Sequence, residues 1–456
     1  MLKKLIPKPL LLFYHKLVGL LAAFTYRFPG RKLKIIGVTG TNGKTTTLNL
    51  IAKILEEHGK KVGMISTAIM KVGEKSWLNE SKMTSLDPFS LNKFLRKLKR
   101  KRIPYALLEV SSHALEQSRF LGVPFDVGVF TNLSPEHLDY HKDLDEYREA
   151  KEKLFYNVQD SKQKPNTPKA LIINGDDESF EYFNRYQADR KYTYEILDKE
   201  RKEVVKYKRG KKPLNQEQKI KFPTTEGEDL LIAKDIKLEP NKTTFNLETK
   251  EFNGKITTHL SGIFNIQNTL AAIAVGLSQN IPLTTIQKAL MKIKGVPGRL
   301  ETIENNKDIT IIVDYAHTPD ALRNVYATIK PLIKNRLITV LGACGDRDKT
   351  KRPKLGSLAA LYADFVIIAD EDPYTEDPAK IRAEVIDGVV KGNKEENKNF
   401  WEIANRKKAI QFALKKARKG DVVMITGKGC EQLMIKGKKK IPWDDRKVVR
   451  EALKKT

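Results

Sequence analysis

The 456-residue chain carries 84 lysines and arginines against 56 acidic residues, a net charge of +28, with 40% apolar and 31% charged residues. At roughly 100–200 residues per domain this length gives two to four domains, and the mix suits a soluble globular protein. Two cysteines, Cys344 and Cys430, exclude a disulfide framework or a cysteine-built zinc site and fit a reducing cytosol. The charge favours anionic partners without choosing among nucleotides, nucleic acid, acidic metabolites and anionic lipid.

Lys3, Lys4 and Lys8 lead into an apolar stretch, Leu10 to Phe24, interrupted by His15 and Lys16. A signal peptide would be followed by a small-residue cleavage site, and none follows. The stretch is short and broken for a membrane span. Residues 1–30 read first as a helix packed on the body of the protein, then as an interfacial helix on anionic lipid at the inner face of the membrane, with a true span as the remaining alternative.

Beyond it the pattern alternates apolar strands with helices. Leu33–Thr39 reads as a buried strand, followed by a glycine-rich turn and a helix with Leu48, Ile51, Ile54 and Leu55 on one face. Strands recur at Val62–Ser66, Tyr105–Val110, Asp126–Thr131 and Ala170–Ile173, and Asp87–Pro88 reads as an N-cap followed by proline at the first helical position. This is the rhythm of a parallel sheet. From about residue 160 to 260 the alternation suggests hairpins appended to that sheet. Gly295-Val-Pro-Gly298 marks a boundary, after which strands at Ile309–Asp314, Leu337–Gly342, Phe365–Asp370 and Val422–Thr426 indicate a second α/β domain. The expected division is a helix over 1–30, a central domain over 31–296 and a C-terminal domain over 297–456.

The strongest chemical signal is Gly37-Val-Thr-Gly-Thr-Asn-Gly-Lys-Thr-Thr46, set between a strand and a helix. Glycines there let backbone N–H groups turn around phosphate oxygens, and the helix N-terminus adds its dipole. Lys44 can reach the β/γ-phosphates and Thr45 can ligate Mg²⁺. The strict phosphate-loop pattern is not met, since Val38 stands where its first glycine would be. Glu109 and His137 fall at carboxyl ends of predicted parallel strands, where open α/β sheets bind ligands. A carboxylate and an imidazole there suit a metal near the loop phosphates.

Thr39-Gly-Thr-Asn-Gly-Lys-Thr45, Glu109-Val-Ser-Ser-His113 and Asn132-Leu-Ser-Pro-Glu-His-Leu-Asp-Tyr-His141 resemble the ATPase domain of the Mur ligases, which build the peptidoglycan stem peptide. The resemblance continues through Gly262-Ile-Phe-Asn-Ile-Gln-Asn268, Val296-Pro-Gly-Arg299, Val313-Asp-Tyr-Ala-His-Thr-Pro-Asp320, Gly345-Asp-Arg347 and Gly427-Lys-Gly-Cys-Glu431. It is strongest toward the tripeptide-synthetase branch, which adds the third stem residue. It implies a P-loop ATPase domain with a central, mostly parallel sheet plus a β-hairpin insertion, followed by a Rossmann-like C-terminal domain. The implied reaction joins a free amino acid, of lysine or diaminopimelate type, to a muramoyl-peptide carboxylate through an acyl phosphate, with ATP and Mg²⁺.

The resemblance also implies roles. Gly40, Thr41, Asn42, Gly43, Lys44, Thr45 and Thr46 would hold phosphate, with Thr45, Glu109 and His137 around Mg²⁺. Lys151 would be carbamylated and bridge to metal. Lys44, Glu109, His137 and Lys151 would form the catalytic set. Asn268 would approach the adenine, Asp314 the ribose, and Arg299 and Arg347 the nucleotide from the C-terminal side. Thr84, Ser85, Ser111, Ser112 and Arg119 would contact the acceptor, and Gly427 and Glu431 the far end of the amino acid.

Two departures bear on the substrate. Only about thirty residues precede the phosphate loop, where muramyl ligases carry a domain that holds the UDP end. This leaves open a lipid-linked acceptor. Glu371-Asp372-Pro373-Tyr374 stands where diaminopimelate-adding members carry Asp-Asn-Pro-Arg. Loss of that arginine removes a bidentate grip on a carboxylate, and acids at 371 and 372 suit a cationic side chain such as lysine. No zinc-ribbon cysteine pairs occur, against an isoglutaminyl synthase subunit. The lysines are scattered, against a nucleic-acid-dependent ATPase, so no nucleic acid is expected. The expected protein is a cytoplasmic monomer.

Overall fold

The apolar run at residues 33–39 forms the strand at the centre of a large sheet because both of its faces are covered. Ile36 and Val38 pack to one side with helix Lys44–Glu57, and Leu33 and Ile35 to the other with helix Pro88–Arg100. The computed structural model describes residues 7–137, 140–197, 228–239 and 242–454. The chain forms two compact units. One comprises Met1–Trp77, Met83–Leu133 and Asp145–Lys294, the other Leu78–Lys82, Ser134–Leu144 and Gly295–Thr456.

The strands of the first unit are β1 (Lys34–Thr39), β2 (Val62–Ile65), β3 (Ile69–Val72), β4 (Lys75–Leu78), β5 (Tyr105–Glu109), β6 (Val127–Phe130), β7 (Ala170–Asn174), β8 (Arg190–Ile196), β9 (Glu228–Glu239), β10 (Lys242–Glu248) and β11 (Asn253–Thr258). They form one sheet in the order β11-β10-β9-β8-β7-β6-β1-β5-β2-β3-β4. In sheet order from β2 to β9 every neighbouring pair is parallel, while the β2–β3 edge and the β9–β10–β11 meander are antiparallel. Among the described residues the hairpins expected over 160–260 are therefore β9–β11. β8 and the start of β9 extend the parallel sheet, because Tyr192, Tyr194 and Leu231 continue its buried face. Residues 198–227 of that stretch lie outside the described residues.

Helices Lys44–Glu57 and Ile263–Ser278 cover one face of this sheet with Leu48, Ile51, Leu55, Leu270 and Ile273. Helices Pro88–Arg100 and Leu144–Asp160 cover the other with Leu91, Leu95, Leu154 and Phe155. Asp87 caps the first of these, accepting from the Phe89 and Ser90 amides, with Pro88 behind it.

The second unit holds β12 (Glu301–Ile303), β13 (Thr310–Val313), β14 (Leu337–Leu341), β15 (Phe365–Ile368), β16 (Phe400–Glu402) and β17 (Val422–Ile425) in the order β12-β13-β17-β14-β15-β16. All but β12 run parallel. A separate hairpin, β18 (Leu433–Lys436) with β19 (Lys439–Pro442), turns through the lysine cluster at 436–440. In the interior, Arg406 meets Asp445 through two hydrogen bonds of 2.9 and 2.7 Å, both side chains fully buried. No helix among the described residues is long and apolar enough to cross a membrane.

Candidate active site

In the first unit the loop between β1 and helix Lys44–Glu57 is held open by two glycines with positive φ, Gly40 at 144° and Gly43 at 84°. A Cβ on Gly40 would lie 1.9 Å from the Thr131 hydroxyl, and one on Gly43 would lie 2.2 Å from the Asn268 amide oxygen. Gly40, not residue 38, is thus the glycine this loop requires. The segment after β6 braces it: the Thr41 amide donates to the Asn132 carbonyl at 2.8 Å and the Asn42 amide to the Asn132 side chain at 2.9 Å. The Thr131 hydroxyl donates to the Asn42 carbonyl at 2.7 Å.

Two amines converge on this loop. Lys44 donates to the carbonyls of Gly40 (2.9 Å) and Thr41 (2.7 Å). Lys151, buried on helix Leu144–Asp160, donates to the same Gly40 oxygen at 2.8 Å. Its ammonium also lies 4.2 Å from the Tyr147 ring centre. Tyr147 in turn meets the Thr41 hydroxyl at 3.3 Å.

Glu109, at the end of β5, is buried and fully engaged. It accepts from the Thr45 hydroxyl at 2.8 Å, the Thr67 amide at 2.7 Å and the Thr67 hydroxyl at 2.9 Å. The network runs on: Thr67 meets the Thr84 hydroxyl at 3.1 Å, Ser85 donates to the Glu109 carbonyl at 2.8 Å and meets Ser111 at 3.2 Å. Arg119 donates to the Ser85 carbonyl at 2.8 Å. The residues expected at the phosphates and those expected at the acceptor are joined through Thr67. Sequence reading passed over Thr67; its only signal is a place just past β2, at the carboxyl edge of the sheet.

Asn268, expected at the adenine, is buried beneath the loop. Its oxygen accepts from Thr47 at 3.2 Å and its amide donates to Asn265 at 3.0 Å. Thr46 is buried at the start of the same helix.

In the second unit three distant motifs meet. A Cβ on Gly298 would lie 2.2 Å from the Cys430 amide, and one on Gly429 would lie 2.9 Å from the Tyr315 Cβ. Arg299 lies over the Tyr315 ring at 4.4 Å. Asp314, expected at the ribose, accepts from the Leu300 amide at 2.6 Å and the Ala316 amide at 2.7 Å. Burial pushes its carboxyl above the ordinary value against the pull of Arg299. His317 and His137 both face Glu136, at 3.2 and 3.7 Å. His137 has a left-handed backbone, φ 58°.

The 371–374 segment is built differently from the expectation of two acids awaiting a cation. Asp372 accepts from Lys428 at 2.9 Å, from Lys82 and from the Ile435 amide at 2.7 Å. Lys428 also donates to Glu431 at 2.6 Å, which Lys82 approaches to 3.2 Å. Asp372 is therefore neutralised from within the protein and is not an acid waiting for a substrate amine. Glu371 differs: one oxygen accepts from the Cys344 thiol at 3.0 Å, while the other is buried without a partner among the described residues and lies where a Cβ on Gly427 would come within 2.2 Å. Tyr374 has a left-handed backbone, φ 50°, with Arg347 over its ring at 5.2 Å. Lys82 and Lys428 were assigned no role from sequence. Burial pushes the Cys430 thiol up to about 11, so it stays protonated at neutral pH and serves as a small core residue.

Residues 38–276 match the Mur ligase middle domain and residues 298–429 match the Mur ligase glutamate ligase domain. The chain belongs to the Mur ligase family. It is 38% identical over 436 residues to the UDP-N-acetylmuramoyl-L-alanyl-D-glutamate–2,6-diaminopimelate ligase of Bacillus cereus, covering 96% of this chain and 81% of that protein. It is 37% identical over 437 residues to the enzyme of the same name from Geobacillus thermodenitrificans, covering 96% and 82%. A solved structure of a ligase of that name superposes with a TM-score of 0.59 at 31% identity, over 93% of this chain and 78% of that one. A folylpolyglutamate synthase from Mycobacterium tuberculosis, 14% identical with a TM-score of 0.61 over 89% of this chain and 91% of that one, shares the fold. The Mur ligase resemblance and the α/β architecture drawn from the motifs hold, and as a Mur ligase the chain is an ATP-dependent ligase of peptidoglycan synthesis.

Proposed function

We propose that this Mur ligase joins a diamino acid to the D-glutamyl carboxylate of a UDP-linked muramoyl-dipeptide. The observation that carries the reading is the Thr45–Glu109–Thr67–Thr84 chain of hydrogen bonds, which ties the phosphate loop to the expected acceptor contacts. 2,6-Diaminopimelate is the amino acid in the names of its relatives. Lysine is the second reading, favoured by Tyr374, which cannot grip a far carboxylate as an arginine would. We read residues 31–296 as the ATP-binding domain and 297–456 as the second ligase domain, acting in the cytoplasm as a monomer.

The acceptor carboxylate attacks the γ-phosphate of ATP, giving an acyl phosphate and ADP; the amine of the incoming amino acid then attacks the carbonyl carbon and phosphate leaves. Lys44 neutralises charge that spreads over the phosphoryl oxygens. With the Thr41 and Asn42 amides held by Asn132, the phosphates fall to the amides from Gly43 onward at the helix N-terminus. Among the described residues no group of three or more His, Cys, Asp or Glu side chains gathers to hold a metal. The buried Thr45 hydroxyl and Glu109 carboxylate nevertheless fit Mg²⁺, which takes one or two protein oxygens and completes its shell with phosphates and water. Bound there it would supply charge neutralisation at the phosphates. His137 is the further ligand the family implies.

Lys151 is the lysine we assign to carbamylation. Two ammonium groups on one carbonyl oxygen in a buried place is a repulsive arrangement, and a carbamate on Lys151 would turn it into attraction for Lys44. Acceptor-dependent phosphate release from ATP, with each diamino acid supplied in turn, tests the whole reading. Release that does not depend on the acceptor would sink it.

A further inference from the structure

Helix Lys8–Thr25 is attached by its small residues. Gly19, Ala22 and Ala23 are buried, and a Cβ on Gly19 would lie 2.6 Å from the Ser118 carbonyl. The opposite side is apolar and bare. Leu10, Phe13, Tyr14, Leu17, Leu20, Leu21 and Phe24 recur at helical spacing and are 47–69% exposed. A helix packed only for the core would turn such residues inward. The helix is packed on the protein by one face, and its other face points out.

The surroundings of the stripe are cationic. The first acidic residue of the chain is Glu56, so nothing in this helix or in the turn Pro29–Lys32 offsets Lys16, Arg27, Arg31 and Lys32 within the segment, while Lys8 pairs with Glu146. At the C-terminal end of the stripe a shallow depression is lined by Phe24, Arg27, Phe28, Arg31, Lys32 and Lys99. Its four cations make no ion pair with a carboxylate among the described residues. Arg31 lies over the Phe28 ring at 4.3 Å, apolar body and charge side by side. Lys99 comes from helix Pro88–Arg100, whose run from residue 88 to 108 holds seven cations and no acid.

We propose that this face is an interfacial anchor for an anionic lipid bilayer. The apolar stripe enters the headgroup boundary and the flanking cations meet lipid phosphates. The charge decides against a second copy of the chain as occupant, since a self-pair would set cations against cations with no acid in either helix. The inference does not rest on the ligase reading and uses none of its residues.

The test is flotation of the full-length protein with vesicles of phosphatidylcholine containing phosphatidylglycerol, and with phosphatidylcholine alone. The expected result is binding to the anionic vesicles only, weakened by salt. Leu17→Glu with Leu21→Glu should abolish it, and Arg27→Gln, Arg31→Gln, Lys32→Gln together should lower partitioning about a hundredfold. Both variants change exposed side chains, and unchanged thermal melting confirms that they fold. Absence of binding by the parent protein, or binding that both folded variants retain, overturns the proposal. So does a concentration-dependent dimer by light scattering that Leu17→Glu dissociates, which would make the stripe a contact between copies.

Discussion

Lys428 places its buried ammonium 2.9 Å from Asp372 and 2.6 Å from Glu431, with the Leu433 carbonyl 2.7 Å away as a third acceptor. Burial alone would favour a neutral amine here, but the two carboxylates raise its pKa and keep it charged. Removing the charge while leaving the acids should cost about 3–5 kcal/mol, as for other broken buried pairs. Lys428→Met is expected to show that loss in urea denaturation of the second unit. Asp372→Asn, which still accepts from Lys428, should lose less.

The neutralised Asp372 shifts the question of selectivity to Tyr374 and Glu371. Tyr374→Arg should restore a bidentate grip and raise kcat/KM for diaminopimelate relative to lysine by about ten- to a hundredfold. Competition between the two amino acids reads this directly. An unchanged ratio would remove position 374 from the amino-acid site.

Glu109 ties Thr45 of the glycine-rich loop to Thr67 beyond β2. Glu109→Gln keeps the shape and loses the charge. It should lower kcat on the order of a hundredfold or more and leave the melting temperature close to the parent's. Titration of activity with Mg²⁺ should show a weaker metal requirement curve in the variant.

Carbamylation of Lys151 gives a spectroscopic prediction. Protein equilibrated with ¹³C-labelled bicarbonate should show one carbamate carbon resonance that Lys151→Ala lacks. Activity should fall in parallel when dissolved CO₂ is stripped out.

Acid should act on the second unit through Glu376. The buried Arg352 guanidinium donates to both of its oxygens, at 2.9 and 3.0 Å, and lowers its carboxyl from 4.5 to about 2. A lowered folded-state value means the stabilisation is whole above pH 4.5 and is lost as pH falls toward 2. Glu376→Gln should flatten that part of the stability curve. A variant as acid-sensitive as the parent would assign the effect to other carboxylates.

Much of this was legible in the residues. The phosphate loop, the strands flanking it and the capped helix at Asp87 are set by local chemistry: glycines, apolar alternation and an N-cap before proline. The site residues that escaped notice depend on chain segments meeting across the fold. Thr67 matters because β2 ends beside β5, and Lys82 because its side chain reaches Asp372. No local pattern marks either. Strands β12 and β16 have three residues each and carry too few side chains for a period to show. The resemblance implies a ribose contact for Asp314. That it also accepts from the Leu300 and Ala316 amides is something only the folded chain reveals.

The most direct test measures phosphate released from ATP with UDP-N-acetylmuramoyl-L-alanyl-D-glutamate as acceptor and diaminopimelate or lysine as the amino acid. Release is expected only when ATP, acceptor and one of the two diamino acids are all present, with the tripeptide product in equal amount. No release with either amino acid, or release that proceeds without the acceptor, would contradict the assignment of this chain as the ligase that adds the third stem residue.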